Sequence, residues 1–180
     1  MIEARCVSLK IGAAILVDAI DATVVPGRVT AILGPNGAGK SSLLSLLAGE
    51  RKPSAGTVAV AGRCLSGWKA DELARRRAVV PQSAHMAFPF TVEQVVRLGF
   101  ALTPPPSHRR AAIVAQALEA ADIAHLADRT MPTLSGGERQ RTHFARAMAQ
   151  LAATDDGRPA YLLLDEPTAS LDPAHQHALL

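Results

Sequence analysis

The chain has 180 residues, room for one domain of ordinary size or one core carrying a small insertion. With 48% hydrophobic and 19% charged residues it can bury a core, which excludes a disordered or collagen-like chain. The net charge of +3 is modest, Lys and Arg are scattered apart from Arg75-Arg76-Arg77 and Arg109-Arg110, and aromatics make up only 3%, so neither a phosphate-backbone stripe nor a base-stacking platform is evident.

In chain order, residues 2–9, 15–20 and 57–61 read as strands, separated by Gly12, by Pro26-Gly27 and by the turn 53–56. Residues 11–17 briefly suggest a signal-peptide core, but Glu3, Arg5 and Lys10 precede them and Asp18 ends the run early, so strand is the better reading. Val29-Thr30-Ala31-Ile32-Leu33 is expected to be a buried strand, followed at once by a glycine-rich turn and by a helix over 41–48 that stops at Gly49. Strand, glycine loop and helix make half of a βαβ unit. A short polar helix over 71–77 leads into an inner strand at Val79-Val80-Pro81.

From Ser83 to about Ala153 the chain is alanine-rich and helical, without a convincing strand. Thr91 and Gln94 form a T-x-x-Q capping box opening a helix that reaches Gly99. Thr103-Pro104-Pro105-Pro106 is a stiff spacer, after which Ser107 is expected to cap a helix through Ala121. Strand character returns only at 161–164. This is the pattern of an α/β core interrupted by a helical insertion. Cys6 and Cys64 lie far apart and read as two ordinary reduced thiols of a cytosolic protein. His85, His108, His125, His143, His175 and His177 lack metal-ligand spacing. No apolar run approaches the ~20 residues that a membrane-spanning helix requires.

Three motifs carry chemistry. Gly34-Pro35-Asn36-Gly37-Ala38-Gly39-Lys40-Ser41 fits G-x-x-x-x-G-K-[ST] in full. Its glycines let successive N–H groups turn inward around phosphate oxygens, and the following helix adds its positive end. Lys40 supplies a cation for the β and γ phosphates, and Ser41 a hydroxyl for Mg²⁺. Leu162-Leu163-Leu164-Asp165-Glu166 delivers two carboxylates at the C-terminal end of an apolar strand, where open parallel sheets bind ligands. Such a pair alone is usually a solvated turn. Beside a P-loop, Asp165 is a Mg²⁺ ligand and Glu166 the base that polarises the attacking water. In Leu134-Ser135-Gly136-Gly137-Glu138, Ser135 and Glu138 form a second capping box. The box leaves two adjacent glycines in the first turn unexplained, each costing about 1 kcal/mol relative to Ala inside a helix. They fit a helix end that an anion approaches closely.

Together with Gln82 after a strand and Ser170-Leu171-Asp172 near the end, this order of motifs resembles the ATP-binding subunits of ABC transporters over nearly the whole chain. The resemblance implies a P-loop NTPase (RecA-like) α/β core with an N-terminal antiparallel β subdomain and an inserted α-helical subdomain. Residues 1–82 and 154–180 would form the nucleotide-binding core and 83–153 the helical subdomain. Gly34, Pro35, Asn36, Gly37, Ala38, Gly39, Lys40, Ser41 and Ser42 would bind nucleotide. The cofactors implied are ATP and Mg²⁺, the latter held by Ser41, Gln82 and Asp165. Gln82 would be the Q-loop glutamine that links the site to the membrane partner. Leu134, Ser135, Gly136, Gly137 and Glu138 would contact the partner's ATP in a head-to-tail homodimer, with Ser170, Leu171 and Asp172 as the D-loop at its interface.

Val80-Pro81-Gln82 followed by Phe88-Pro89-Phe90-Thr91-Val92-Glu93 is similar to importers of iron-chelate and vitamin B12 type. The step Asp156-Gly157-Arg158-Pro159, and Asp172-Pro173-Ala174-His175-Gln176-His177, look most like those for haemin. Such a subunit works at the cytoplasmic face of the cell inner membrane. Its partners are two transmembrane permease subunits and a periplasmic substrate-binding protein, with no nucleic acid. Two departures stand out. Ile11 occupies the region where the family carries an aromatic that stacks on adenine. The family also continues, past the position of Leu180, with further strands and a switch histidine that no residue here supplies, so the chain is expected to be truncated. A soluble ABC ATPase acting on nucleic acid or ribosomes, and a nucleotide-binding fragment without turnover, remain the alternatives.

Overall fold

A computed structural model describes residues 1–82, 88–154 and 156–166. The chain divides into two compact units, Met1–Glu72 and Leu73–Leu180.

The first unit is an antiparallel sheet of order β2-β1-β3-β4, built from β1 (Ile2–Ile11), β2 (Ala14–Val24), β3 (Ala55–Val60) and β4 (Arg63–Cys64), together with helix α1 (Lys40–Leu47). Alternate residues of β1 and β3 point inward, and Ile2, Ala4, Val58 and Val60 are buried with Leu46 and Leu47 of α1. The register of β1 slips on both sides. At the slip Cys6 takes a left-handed φ of 47° and its N–H donates to Asp21 Oδ1 at 2.8 Å. Opposite lies Gly56, where an added Cβ would stand 2.2 Å from the Cys6 carbonyl oxygen, so only glycine lets the two backbones approach.

The expected buried strand at residues 29–33 does not form. These residues belong to no strand, and Val29 and Leu33 are 83% and 89% exposed. An apolar run signals burial, but a strand also needs partners for its N–H and C=O groups. The ladders described in this unit are made among β1 to β4.

The second unit pairs β5 (Arg77–Val80) with β6 (Tyr161–Leu164) in parallel register, after the short helix α2 (Ala70–Ala74) that crosses the division between the units. Helices α3 (Val92–Arg97), α4 (Ser107–Ala120) and α5 (Gly136–Ala152) complete it. Thr91 makes the expected capping box with Gln94, whereas Ser107 is the first helical residue of α4 and Pro106 its cap. Proline suits that place because the first turn has N–H groups without helical partners. Val92, Val95, Val96, Ile113, Val114 and Leu118 form the helical core with Ala145 and Ala149 of α5. Ala147, Phe144 and Leu151, also on α5, meet Ala78, Val80 and Leu162 of the sheet.

Thus α5 joins both hydrophobic clusters, and its polar side chains finish the job. Arg146 Nη2 donates to the Val79 carbonyl at 3.0 Å, and Gln150 Nε2 to the carbonyls of Ala74 and Arg77 at 3.0 Å each. The Arg77 and Val79 carbonyls alternate with those of Arg76 and Val80, which accept from the β6 side, so α5 supplies donors to two carbonyls on the other edge of β5. Burial lowers the Arg146 pKa from its ordinary value. On another side of α5, where the turn Leu98–Phe100 after α3 meets it, a Cβ on Gly99 would stand 2.6 Å from the Arg146 carbonyl oxygen.

Buried Arg76 closes the turn into β6 by gripping Asp156 with two bonds, at 3.0 and 2.5 Å. Arg76 and the Arg158 N–H hold the Asp156 carboxyl down at about 2, from an ordinary value near 3.8. A depressed folded-state value stabilises the fold above the unfolded pKa and loses that contribution as pH falls through the folded one. Thermal melting of the wild type should therefore fall relative to Asp156→Asn between about pH 4 and pH 2. Parallel melting curves for the two proteins across that window would remove the pair from the account.

Candidate functional site

The glycine loop sits in the first unit and α1 starts where the motif requires. Gly39 is the helix cap with φ 87°, and Gly37 has φ 82°. A Cβ on Gly39 would lie 2.2 Å from the Leu16 carbonyl oxygen of β2, so the sheet itself demands glycine there. At Gly37 the same position meets nothing within 4 Å. Lys40 bends back over the loop, its Nζ donating to the carbonyls of Gly34 and Pro35 at 3.0 and 2.9 Å. No side chain caps α1, and its first turn carries no acidic residue. The donor set is therefore backbone N–H groups at a helix N-terminus plus one ammonium, with no carboxylate to repel an anion. That chemistry fits a polyphosphate.

In the second unit the structure brings Gln82 and Glu166 together, the Gln82 Nε2 donating to Glu166 Oε2. Glu166 lies just past the end of β6 with φ 48°, a left-handed conformation that costs a side-chain-bearing residue about 1–2 kcal/mol. One residue upstream, the Leu164–Asp165 peptide is pinned by the Asp165 N–H donating to the Val80 carbonyl at 3.0 Å. The Glu166 carbonyl accepts from Gln140 Nε2 at 3.2 Å. Gln140 stands in the run LSGGERQR at the start of α5. It lies in the run Glu138-Arg139-Gln140-Arg141 as one polar residue among several, and only the packing of α5 turns it toward the end of β6.

The capping box at α5 is present in both halves: Ser135 Oγ accepts from the Glu138 N–H at 3.3 Å, and Glu138 Oε2 from the Ser135 N–H at 2.7 Å. Those bonds, with a lesser contribution from Arg129, lower the Glu138 pKa. Ser135 and Gly136 are exposed, whereas Leu134 is buried and anchors the turn. Phe90 packs against the helical core while its edge-to-face partner Phe88, 6.1 Å away, is 67% exposed. Ile11 is also exposed at the β1–β2 turn. Ser170, Leu171 and Asp172 lie outside the described residues, as do His85, His175 and His177.

Residues 17–169 match the family described as ABC transporter. The chain belongs to the ABC transporter family. Its relatives include the Hemin import ATP-binding protein HmuV of Gloeobacter violaceus, 46% identical over 184 residues that cover 100% of this chain and 66% of that protein. The protein of the same name from Pseudomonas entomophila is 49% identical, covering 100% of this chain and 70% of its own. The chain thus spans about two thirds of the length of these curated relatives. Among solved structures, the dimeric ATP-binding cassette MJ0796 bound to ADP and Pi superposes with a TM-score of 0.84 at 25% identity, over 99% of this chain and 79% of that one. An inward-facing ABC transporter described as of metal-chelate type gives 0.76 at 30% identity, over 99% and 64%. These neighbours place this ABC family chain in the α/β P-loop NTPase fold, with its antiparallel β part and its helices. No helix among the described residues is long and apolar enough to cross a membrane.

Proposed function

We propose that this chain is the ATP-binding and ATP-hydrolysing subunit of an importer for haemin or a related iron chelate. The observation that carries the reading is 46% and 49% identity along its whole length to two hemin import ATP-binding proteins. The phosphate-fitting donor set at the start of α1 supports it. In this reading residues 1–82 and 154–180 form the nucleotide-binding core and 83–153 the helical subdomain.

Gly34 to Ser42 bind the phosphates through the loop, and Lys40 exchanges its carbonyl partners for phosphate oxygens. Ser41, Gln82 and Asp165 would hold Mg²⁺, each offering an oxygen of the kind that hard cation takes. Bound Mg²⁺ supplies positive charge against the β and γ phosphates. Glu166 accepts the proton of the attacking water on Oε1, the carboxylate oxygen other than the Oε2 that Gln82 holds. Ser135 and Gly137 offer the exposed start of α5 to the ATP of a second copy, head to tail, with Ser170 to Asp172 at that interface. Ile11 covers the adenine face in place of an aromatic. Phe88 docks the permease, which with a periplasmic binding protein sets the ligand, and the chain works at the cytoplasmic face of the inner membrane.

In membrane vesicles holding the permease and this subunit, ATP-driven haemin uptake should require Lys40 and be lost in Lys40→Ala. Uptake of cobalamin but not haemin would overturn the substrate assignment. Uptake that survives Lys40→Ala would overturn the role of the loop.

A further inference from the structure

We propose that Gln140 is a positioning residue for Glu166, holding the main chain that carries the base; the proposal rests on the reading of Glu166 given above. Glu166 occupies a left-handed conformation at the end of β6, with φ 48°. Such a conformation persists where its surroundings over-determine it. Three restraints do so here. The ladder bond from the Asp165 N–H to the Val80 carbonyl, 3.0 Å, fixes the Leu164–Asp165 peptide, one residue upstream. Gln82 holds its carboxylate. Gln140 Nε2, 3.2 Å from the Glu166 carbonyl oxygen, holds the peptide after it.

The first restraint belongs to the sheet. The second acts on the side-chain carboxylate and leaves the main chain alone. Among the described residues, that leaves Gln140 as the side chain seen to hold the Glu166 main chain while the carboxylate works. Gln140 is suited to this, being 8% exposed on a helix that Arg146 and Gln150 tie to β5. It also lies one turn beyond Gly136 and Gly137, so the helix that begins with those glycines fixes the position of Glu166 in its own chain. A displacement at the start of α5 would therefore reach the base through one side-chain amide.

The test uses the 180-residue chain with Gln140→Met, which keeps length and packing but loses the donor, and Gln140→Glu, which sets a carboxylate against the carbonyl. Turnover is measured at saturating ATP and affinity with a fluorescent ATP analogue, with melting curves to show that both variants fold. Misplacing a reacting group by about 1 Å costs on the order of 100-fold, so kcat should fall about 10- to 100-fold while Kd stays within about twofold. In a Glu166→Gln background, Gln140→Met should cost less than about twofold more, because the group it positions is gone. Unchanged kcat, a parallel loss of kcat and affinity, or the same fold-loss without Glu166 would each overturn the positioning role. If Glu166→Gln alone turns over like the wild type, or the wild type binds ATP without turnover, the reading of Glu166 fails and takes this proposal with it.

Discussion

Glu166→Gln should reduce ATP turnover by about 100- to 10,000-fold, the range that a general base contributes, while leaving ATP affinity within a few-fold of wild type. The substitution preserves shape and hydrogen-bond reach. Its amide oxygen still accepts from Gln82, and the Glu166 carbonyl still accepts from Gln140, so the local structure loses no partner. What disappears is the capacity to take a proton. An interaction needed only in the transition state lowers kcat and spares binding. ATP-induced dimers should accordingly persist and outlive those of the wild type, which size-exclusion chromatography with ATP would detect. Wild-type turnover in this variant would remove Glu166 from the mechanism.

The second large effect is expected at Gly39. In Gly39→Ala the methyl group would stand 2.2 Å from the Leu16 carbonyl oxygen and 3.3 Å from its carbon, both main-chain atoms of β2 that cannot swing aside. The residue also has φ 87°, which alanine tolerates poorly. The loop must move, and with it the N–H groups at the start of α1. A cost of about 2–4 kcal/mol in stability and more than a tenfold loss of ATP affinity should follow. Gly37→Ala is the control: φ is 82°, yet nothing lies within 4 Å of the added methyl, so only the conformational cost of about 1 kcal/mol remains. Calorimetric melting and nucleotide titration of the pair would decide. Equal effects at the two positions would show that the contact with β2 does not shape the loop.

The contrast between those glycines shows what the sequence carries. The spacing Gly34 to Ser41 identifies a phosphate loop because the chemistry needs those residue types in that order, but it ranks Gly37 and Gly39 alike. The distance to Leu16 separates them, and that distance depends on where β2 runs. Likewise Thr91, Gln94, Ser135 and Glu138 announced their capping boxes, since a cap is satisfied within four residues of chain.

Where the partner lies far along the chain, local pattern failed. Residues 29–33 are as apolar as a buried strand should be, yet they form none, because strand formation waits on a neighbour and not on composition. Gln140 lies inside the run LSGGERQR, but nothing in that run names its partner, and its bond to Glu166 spans 26 residues. Gln82 and Glu166 each stood out in sequence; that the one holds the other across 84 residues did not.

A length of 180 residues admits one modest domain. The sequence by itself determined the family, the phosphate loop, both capping boxes and the residues of the proposed chemistry, because each is written in short-range spacing. Only the tertiary structure decided that the chain divides at Glu72, which glycine cannot be replaced, and which side chains hold Glu166, because those facts belong to contacts between segments that the chain places far apart.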